Sequence, residues 1–234
     1  MLKKINLLFI GTFFLGLLTV FEIHAAESDQ IYQKGMKALI TGDYQVALEN
    51  LGIAATEQNA NAQYTLGIMF RSGIGVKKNL ETALRWFEAA ANHNHQLSQY
   101  VVSWMYRNGL GTRTSEEEAF SWMLKSAESG FNQARVEVAL MYASGRGVLH
   151  DPEKSYFWYS VAADGGDKEA QYQLGLIYNA GHGVQKNHSK ALNWLKKSAS
   201  QGYPNAQYVV GLMYSVGRGT PQSFEKALNW YQNA

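Results

Sequence analysis

Residues 170–202 read AQYQLGLIYNAGHGVQKNHSKALNWLKKSASQG, and most of the spaced residues in this stretch return elsewhere in the chain. Its two glycines, Gly181 and Gly183, have counterparts at a constant spacing of 36 residues. A period of about 20–50 residues is typical of a solenoid, in which each repeat is one structural unit stacked on the next. The glycine pairs are Gly73–Gly75, Gly109–Gly111, Gly145–Gly147, Gly181–Gly183 and Gly217–Gly219.

Each period contains the apolar patterns of two helices. Ala62, Leu66 and Phe70 are spaced to lie on one helical face, and small or apolar residues recur at a similar spacing in the second half of the period. The sequence therefore predicts a helix, a glycine turn and a second helix in every repeat, with no strand. One column of tryptophans is expected to fill the gap between successive repeats, with Trp158 packed on both sides: Trp86, Trp122, Trp158, Trp194 and Trp230.

Residues that favour helix N-caps mark where the second helices begin. They recur 36 residues apart, and Ser115 with Glu118 is spaced as a capping box. The six are Asp43, Asn79, Ser115, Asp151, Asn187 and Ser223. The predicted first helices are 28–40, 60–71, 96–107, 132–143, 168–179 and 204–215, and the predicted second helices are 44–57, 80–93, 116–129, 152–164, 188–200 and 223–234.

The first 25 residues have the pattern of a secretory signal peptide. Lys3 and Lys4 precede an apolar run over residues 5–21, and small residues follow at Ala25 and Ala26. We expect cleavage after Ala25, or one residue later, and therefore a periplasmic or secreted protein. An uncleaved anchor is the alternative, although the run is short for a membrane span of about 20 residues.

Composition excludes several classes of function. The chain has no cysteine, so disulfides, thiol catalysis, cysteine-based zinc sites and a lipid-modified N-terminal cysteine are excluded. The formal net charge is +2, and no run of basic residues suggests nucleic acid or an anionic membrane surface. We therefore expect no nucleic-acid partner and no stable membrane insertion after signal cleavage.

The residues with potential chemistry do not form a catalytic or metal-binding pattern. His93 and His95 lie where a helix gives way to a loop, and solvated loop histidines are the interpretation we prefer to a metal site. Glu116 to Glu118 lie in the first turn of a predicted helix, where carboxylates complement the helix dipole. No serine lies in a G-x-S-x-G context, which would mark a nucleophile on a strained turn. We predict no enzyme activity, no cofactor and no metal.

The run 170–175, followed by Tyr178, Gly181, Trp194 and Gly202, resembles the Sel-1-like repeat, a relative of the tetratricopeptide repeat. The resemblance covers residues 58–234 as five repeats of 36 residues. Residues 26–57 lack the glycine pair and look like a tetratricopeptide-like helix pair that caps the N-terminal end. The resemblance implies an all-α fold, a right-handed α-α superhelical solenoid, and an exported bacterial adaptor for a protein or peptide partner in the cell envelope or a host.

The candidate binding residues form a column on the first helices. By analogy with tetratricopeptide stacks, this column and the turn after it are expected to face a concave groove, where Tyr, Trp and Arg are frequent binding hot spots. The alternative is that the tyrosines only pack between repeats, since a solenoid repeats its core residues as faithfully as its ligand residues. The candidates are Tyr64, Tyr100, Tyr172 and Tyr208, then Trp104, Arg71 and Arg107.

Two further hypotheses remain open at this point. A cell-wall-directed protein, either a β-lactamase-like enzyme or a peptidoglycan binder, is the alternative to the adaptor. The C-terminal end, with Leu228, Trp230 and Tyr231 in the last predicted helix, is expected to expose apolar surface and to dock on a partner or on a second copy.

Overall fold

A computed structural model describes residues 26–234 of the chain. The predicted signal peptide lies outside these residues. Within them the chain is all helix, without a strand, as the repeat pattern predicts. The helices are α1 over residues 26–41, α2 Tyr44–Thr56, α3 Ala60–Ser72, α4 Leu80–Asn92, α5 Gln96–Asn108, α6 Glu116–Glu128, α7 Asn132–Ser144, α8 Pro152–Asp164, α9 Lys168–Ala180, α10 His188–Ser200, α11 Pro204–Val216 and α12 Phe224–Asn233.

The predicted ends of α2 to α12 agree with the observed ends to within one residue. All six predicted N-caps are confirmed, since each side chain accepts a hydrogen bond from the backbone N–H three residues later. In α10, for example, Asn187 Oδ1 lies 2.9 Å from the Lys190 nitrogen. Each cap satisfies one of the backbone donors that a helix leaves unpaired at its N-terminus.

The predicted capping box at Ser115 forms only in half. Ser115 Oγ accepts from the Glu118 N–H at 3.1 Å, but the Ser115 N–H donates to the Tyr106 carbonyl at 3.0 Å. The backbone donor that the Glu118 side chain would need is therefore already used. The same bond from the N-cap back to the last turn of the first helix closes the other glycine loops, for instance from Asn187 to Tyr178 at 2.8 Å.

The two glycines of a pair have different roles. Gly181 ends α9 in the left-handed conformation, with a φ of 85°, as expected of a helix C-terminus. Gly183 also has a positive φ, and a Cβ atom there would overlap the carbonyl of Pro152 in the preceding repeat. At Gly111, Gly147, Gly183 and Gly219 the loop therefore rests on the backbone of the previous repeat's second helix, whereas Gly75 faces the Tyr44 side chain.

The described chain divides into two compact units. The first ends at Ser98 and includes residues 110–112, and the second contains residues 99–109 and 113–234. In the first unit α2 packs on α3 and α3 on α4, around a core that contains Leu51, Leu66 and Met69. In the second unit each helix from α6 to α12 packs on the next one along the chain. No helix of residues 26–234 combines the length and the apolar character needed to cross a membrane.

In α4, α6, α8 and α10 the residue one position after the tryptophan is more deeply buried than the tryptophan, whereas in α12 Tyr231 is exposed. Leu195 is fully buried, while Trp194 keeps part of its surface exposed, and the same holds for Phe87 beside Trp86. The reason is close contact with the first helix: a Cβ at Gly175 would lie 2.5 Å from Leu195 Cγ. Trp158 does pack against the buried residues on both sides of it, as predicted, but from the edge of the core.

Candidate binding face

Two of the predicted tyrosines, Tyr100 and Tyr172, are half-buried, and each ring contacts an aromatic residue beside the next first helix. Tyr100 meets Phe131 edge-on with ring centroids 5.2 Å apart, and Tyr172 meets Tyr203 at 5.2 Å. In both pairs the partner residue immediately precedes a first helix. Burial is the main cause that raises the pKa of Tyr100 and of Tyr172. These contacts give the column a packing role, and contact with a partner stays a prediction.

The remaining two tyrosines differ from each other. Tyr64, in the first unit, lies between Phe87 at 5.5 Å and His95 at 4.8 Å, and burial raises its pKa. Tyr208 is exposed and contacts Tyr231 of the following helix at 5.6 Å. Tyr208 therefore presents the most accessible ring of the four.

One turn further along the first helices of the second unit runs a column of solvent-facing apolar side chains. Trp104 is 44% exposed, and Leu140 and Leu212 are each 42% exposed. Leu176 holds the same register and is partly exposed. We call these four residues the apolar column. Single exposed apolar residues are ordinary on a protein surface, but four at one register form a pattern.

Arg71 and Arg107, which were predicted to contact a partner, both make contacts within the chain itself. Arg107 Nη1 lies 3.4 Å from Glu137 Oε2, its Nη2 lies 3.5 Å from Met141 Sδ, and its Nε lies 3.8 Å from Glu116 Oε2. Its side chain is largely buried, so this geometry gives Arg107 a structural role between repeats. Arg71, in the first unit, holds its guanidinium 5.9 Å from the centre of the Phe87 ring.

A groove of about 750 Å³ opens between α7 and α9 in the second unit. Leu140, Leu176 and Ile177 supply apolar walls, and Tyr159 of α8 lines it from within the core. Burial, and after it the nearby carboxylates of Glu169 and Glu137, together raise the pKa of Tyr159 to about 12. The phenol is therefore a neutral hydrogen-bond donor at physiological pH. The polar lining residues include Gln173, Asn179, His150 and His182.

The histidines near residue 94 have structural roles that the sequence analysis missed. Both were expected to be solvated, but His95 is half-buried against Tyr64, and burial lowers its pKa. His95 Nδ1 accepts from the Ser98 N–H at 3.2 Å, so His95 caps α5. His93 Nδ1 lies 3.0 Å from Gln63 Oε1, which can only accept. Among residues 26–234 no three His, Asp or Glu side chains come together as a metal site.

A column of buried glutamines was also missed. Gln171 Nε2 donates to the Ala163 carbonyl at 3.2 Å, and its Oε1 accepts from Gln201 Nε2 at 2.9 Å. Gln63 and Gln207 donate to the carbonyl eight residues before them in the same way. The signal was visible, because glutamine recurs in register at positions 63, 99, 171 and 207.

Comparison with known proteins identifies the repeat. The model of the Sel1 repeat matches residues 60–95, 96–131, 132–167, 168–203 and 204–234, which is well over half of the chain. The chain belongs to the Sel1 repeat family. Sel1 repeat proteins generally act as scaffolds for protein–protein interaction and are typically not enzymes. No curated protein matches the sequence.

Two solved structures support the same fold. A Sel1 repeat protein from Oxalobacter formigenes is 28% identical, with a TM-score of 0.79 over 86% of this chain and 83% of that one. A protective antigen present in uropathogenic Escherichia coli strains, which displays an SLR fold, is 28% identical with a TM-score of 0.80. That alignment covers 88% of this chain and 45% of the antigen, so the chain spans less than half of the antigen's length. This Sel1 repeat protein is therefore an α-α solenoid.

Proposed function

We propose that this Sel1 repeat protein is a non-enzymatic adaptor that binds a protein or peptide partner along the face of its first helices. The observation that carries the proposal is the apolar column, in which four successive first helices expose Trp104, Leu140, Leu176 and Leu212 at one register. A row of this kind contributes less to stability than a buried row would, since Trp104, Leu140 and Leu212 are each more than 40% exposed. An extended partner that crossed the helices would bury them in turn.

The groove beside Leu140 and Leu176 supports the same proposal. Its volume of about 750 Å³ lies within the range of about 300–1,000 Å³ that is usual for ligand pockets. Apolar walls with a few hydrogen-bonding groups are also what such pockets offer. The accessible edges of Tyr100 and Tyr172 and the exposed ring of Tyr208 lie one turn before the apolar column. We expect them to contribute contacts with the partner.

A capture experiment tests the binding face. The tagged protein is purified from envelope extracts after photo-crosslinking, beside a Leu140→Asp/Leu176→Asp variant and a Leu149→Asp control. Leu149 is 88% exposed in the loop before α8 and lies outside the apolar column. We expect the crosslinked partner to disappear from the double variant and to persist with the control. Capture that is equal for all three proteins would contradict the proposal.

We propose further that the protein is exported and acts in the periplasm or outside the cell. The support is the sequence pattern of residues 1–25, with Lys3 and Lys4 before an apolar run and Ala25 at its end. Intact mass and N-terminal sequencing of the native protein test this. We expect a mature chain that begins at Ala26 in the periplasmic or secreted fraction, and a full-length chain in the cytoplasm would contradict it.

The same purified protein tests the cell-wall alternatives. Hydrolysis of nitrocefin clearly above a solvent blank would support the β-lactamase-like enzyme against the adaptor. Retention on purified sacculi that the Leu140→Asp/Leu176→Asp change abolishes would indicate that the face binds peptidoglycan. We expect neither result.

A second contact surface is proposed on the last helix. On α12 the side chains of Phe224, Leu228 and Tyr231 are all exposed, and Trp230 is partly so. We propose that this surface contacts a second copy of the chain, because apolar patches of several large side chains mark interfaces.

A further inference from the structure

The groove between α7 and α9 has an equivalent position one repeat earlier, between α5 and α7. That earlier position is occupied by the side chain of Arg107. Arg107 contacts Glu116, Glu137 and Met141. Positions 36 residues later are Pro152, Gln173 and Ile177, and all three line the groove. The residue equivalent to Arg107 is Ala143, which also lines it. The groove is therefore the space that an arginine fills one repeat earlier and that an alanine leaves open here.

A second departure from the repeat pattern changes the floor of this space. Tyr159 stands at the core position that Phe87, Met123 and Leu195 hold in other repeats, and the last repeat has Tyr231 there in an exposed setting. It brings a hydroxyl group to the core side of a groove whose other polar lining residues include Ser155, Gln173 and Asn179. Val136 stands where the other repeats have tyrosine and packs against the same cluster of buried residues as Tyr159. Val136, Ala143 and Tyr159 occur together only in this repeat.

Two carboxylates near the groove bear on which charge it would accept. The carboxylates of Glu137 and Glu169 both act electrostatically on the Tyr159 phenol. Glu137 is paired with Arg107 at 3.4 Å, whereas Glu169 is exposed one turn before Gln173 on α9. The cationic candidates in the lining are His150 and His182, both exposed. Glu169 lies outside the lining, and its negative charge would attract a cation to the groove and repel an anion.

The walls suit the stem of a long basic side chain. Ile177 occupies the position of Met141, which contacts the Arg107 side chain one repeat earlier. Leu140 adds apolar surface on the opposite helix. Lysine and arginine bury their methylene groups against such surfaces while the charged head stays near polar groups. At the head, Gln173 holds the register of Glu137, which accepts from Arg107, and its amide offers an oxygen acceptor.

We propose that this groove receives a lysine or arginine side chain from an extended segment of the protein partner, in the place that Arg107 fills one repeat earlier. The inference rests on the proposed binding face and adds the chemistry that the face selects. The partner's backbone crosses α7 and α9 beside Leu140 and Leu176. The basic side chain is the anchor of the segment.

A peptide selection on the mature protein tests the anchor. A random 12-residue library displayed on phage is selected against the wild-type protein and against an Ala143→Arg variant, which restores the residue of the earlier repeats. The matched control is Ser215→Arg, the same register two repeats later and outside the groove. Circular dichroism of both variants establishes that the helices are intact. We expect the selected peptides to carry a basic residue beside large apolar residues. The Ala143→Arg variant should bind them at least 10-fold more weakly than the wild type, and the Ser215→Arg variant should bind them as tightly as the wild type.

The charge of the anchor is tested on the best selected peptide. Replacing its arginine by citrulline keeps the shape and removes the charge, and we expect binding by fluorescence anisotropy to weaken at least 10-fold. A Glu169→Gln variant should weaken the arginine peptide and leave the citrulline peptide unchanged. Selection of acidic peptides, or equal binding by wild type and Ala143→Arg, would overturn the anchor while the binding face stands. Failure to select any peptide would count against both proposals.

Discussion

At the scale of single residues, the second glycine of each pair carries the strictest requirement in the repeat. Gly183 needs a positive φ, which costs other L-residues about 1–2 kcal/mol, and it also rests on the Pro152 backbone. Gly202 has a positive φ of 75° as well, but nothing lies near its Cβ direction. Gly202 therefore requires glycine for its backbone conformation alone, whereas Gly183 requires it for both its conformation and its contact with Pro152.

We expect Gly183→Ala to lower the free energy of unfolding by about 3 kcal/mol or more, since strain and a backbone overlap add. Gly202→Ala should cost about 1 kcal/mol, because only the left-handed conformation is penalised. Urea unfolding followed by circular dichroism measures both. Equal losses at the two positions would show that the contact with Pro152 contributes nothing.

The raised pKa of Tyr159 predicts that the stability of the fold decreases at alkaline pH. Its pKa is raised from 10.0 to about 12 in the folded protein, so the folded state keeps the phenol proton after the unfolded chain has lost it. The stabilisation is complete below pH 10 and disappears as the pH rises to about 12. We expect Tyr159→Phe to flatten the loss of thermal stability over this range. The control is Tyr208→Phe at an exposed position, which should leave the wild-type slope unchanged.

At the scale of helices, side-chain hydrogen bonds join the C-terminal ends of second helices to the first helices that follow them. The buried glutamines donate to carbonyls in the last turns of the second helices, where a helix has no partners of its own. The Gln171 side chain makes two hydrogen bonds: it donates to the Ala163 carbonyl and accepts from the Gln201 side chain. The Gln207 side chain is observed in one, donated to the Ala199 carbonyl. The column therefore ties α3 to α2, α9 to α8 and α11 to α10.

Methionine at these positions keeps the shape and removes the hydrogen bonds. We expect Gln207→Met to cost about 0.5–1.5 kcal/mol and Gln171→Met about twice as much, since one and two bonds are lost. The free energies of unfolding, compared in one denaturant series, check the ratio. A larger loss for Gln207→Met than for Gln171→Met would contradict the assignment.

At the scale of the whole molecule, the open question is association through α12. Leu228 is 57% exposed, while Tyr231 also packs against Tyr208 at 5.6 Å. Leu228→Asp is therefore a cleaner test than Tyr231→Asp, which would disturb folding contacts too. We expect sedimentation equilibrium to show a dimer for the wild type and the Leu149→Asp control, and a monomer for Leu228→Asp. A wild-type monomer at all concentrations would refute this contact.

Most of the fold could be predicted because its signals are local. A cap such as Asn187, a glycine such as Gly181 and the apolar spacing of α9 and α10 act within a few residues, and each is repeated. The binding face was harder to assign, because repetition marks packing and ligand residues alike. The tyrosine column contained both possibilities, and ring contacts such as that of Tyr100 with Phe131 were needed to show its packing role.

The sequence by itself determined the helices, their ends, the repeat and the family, since these follow from short-range chemistry and a constant period. Only the tertiary structure decided that Arg107 is paired with Glu137 and that Ala143 leaves a groove open. The reason is that these features join side chains about 30 residues apart, in different repeats. A departure such as Ala143 looks like an ordinary substitution until its neighbours in space are known.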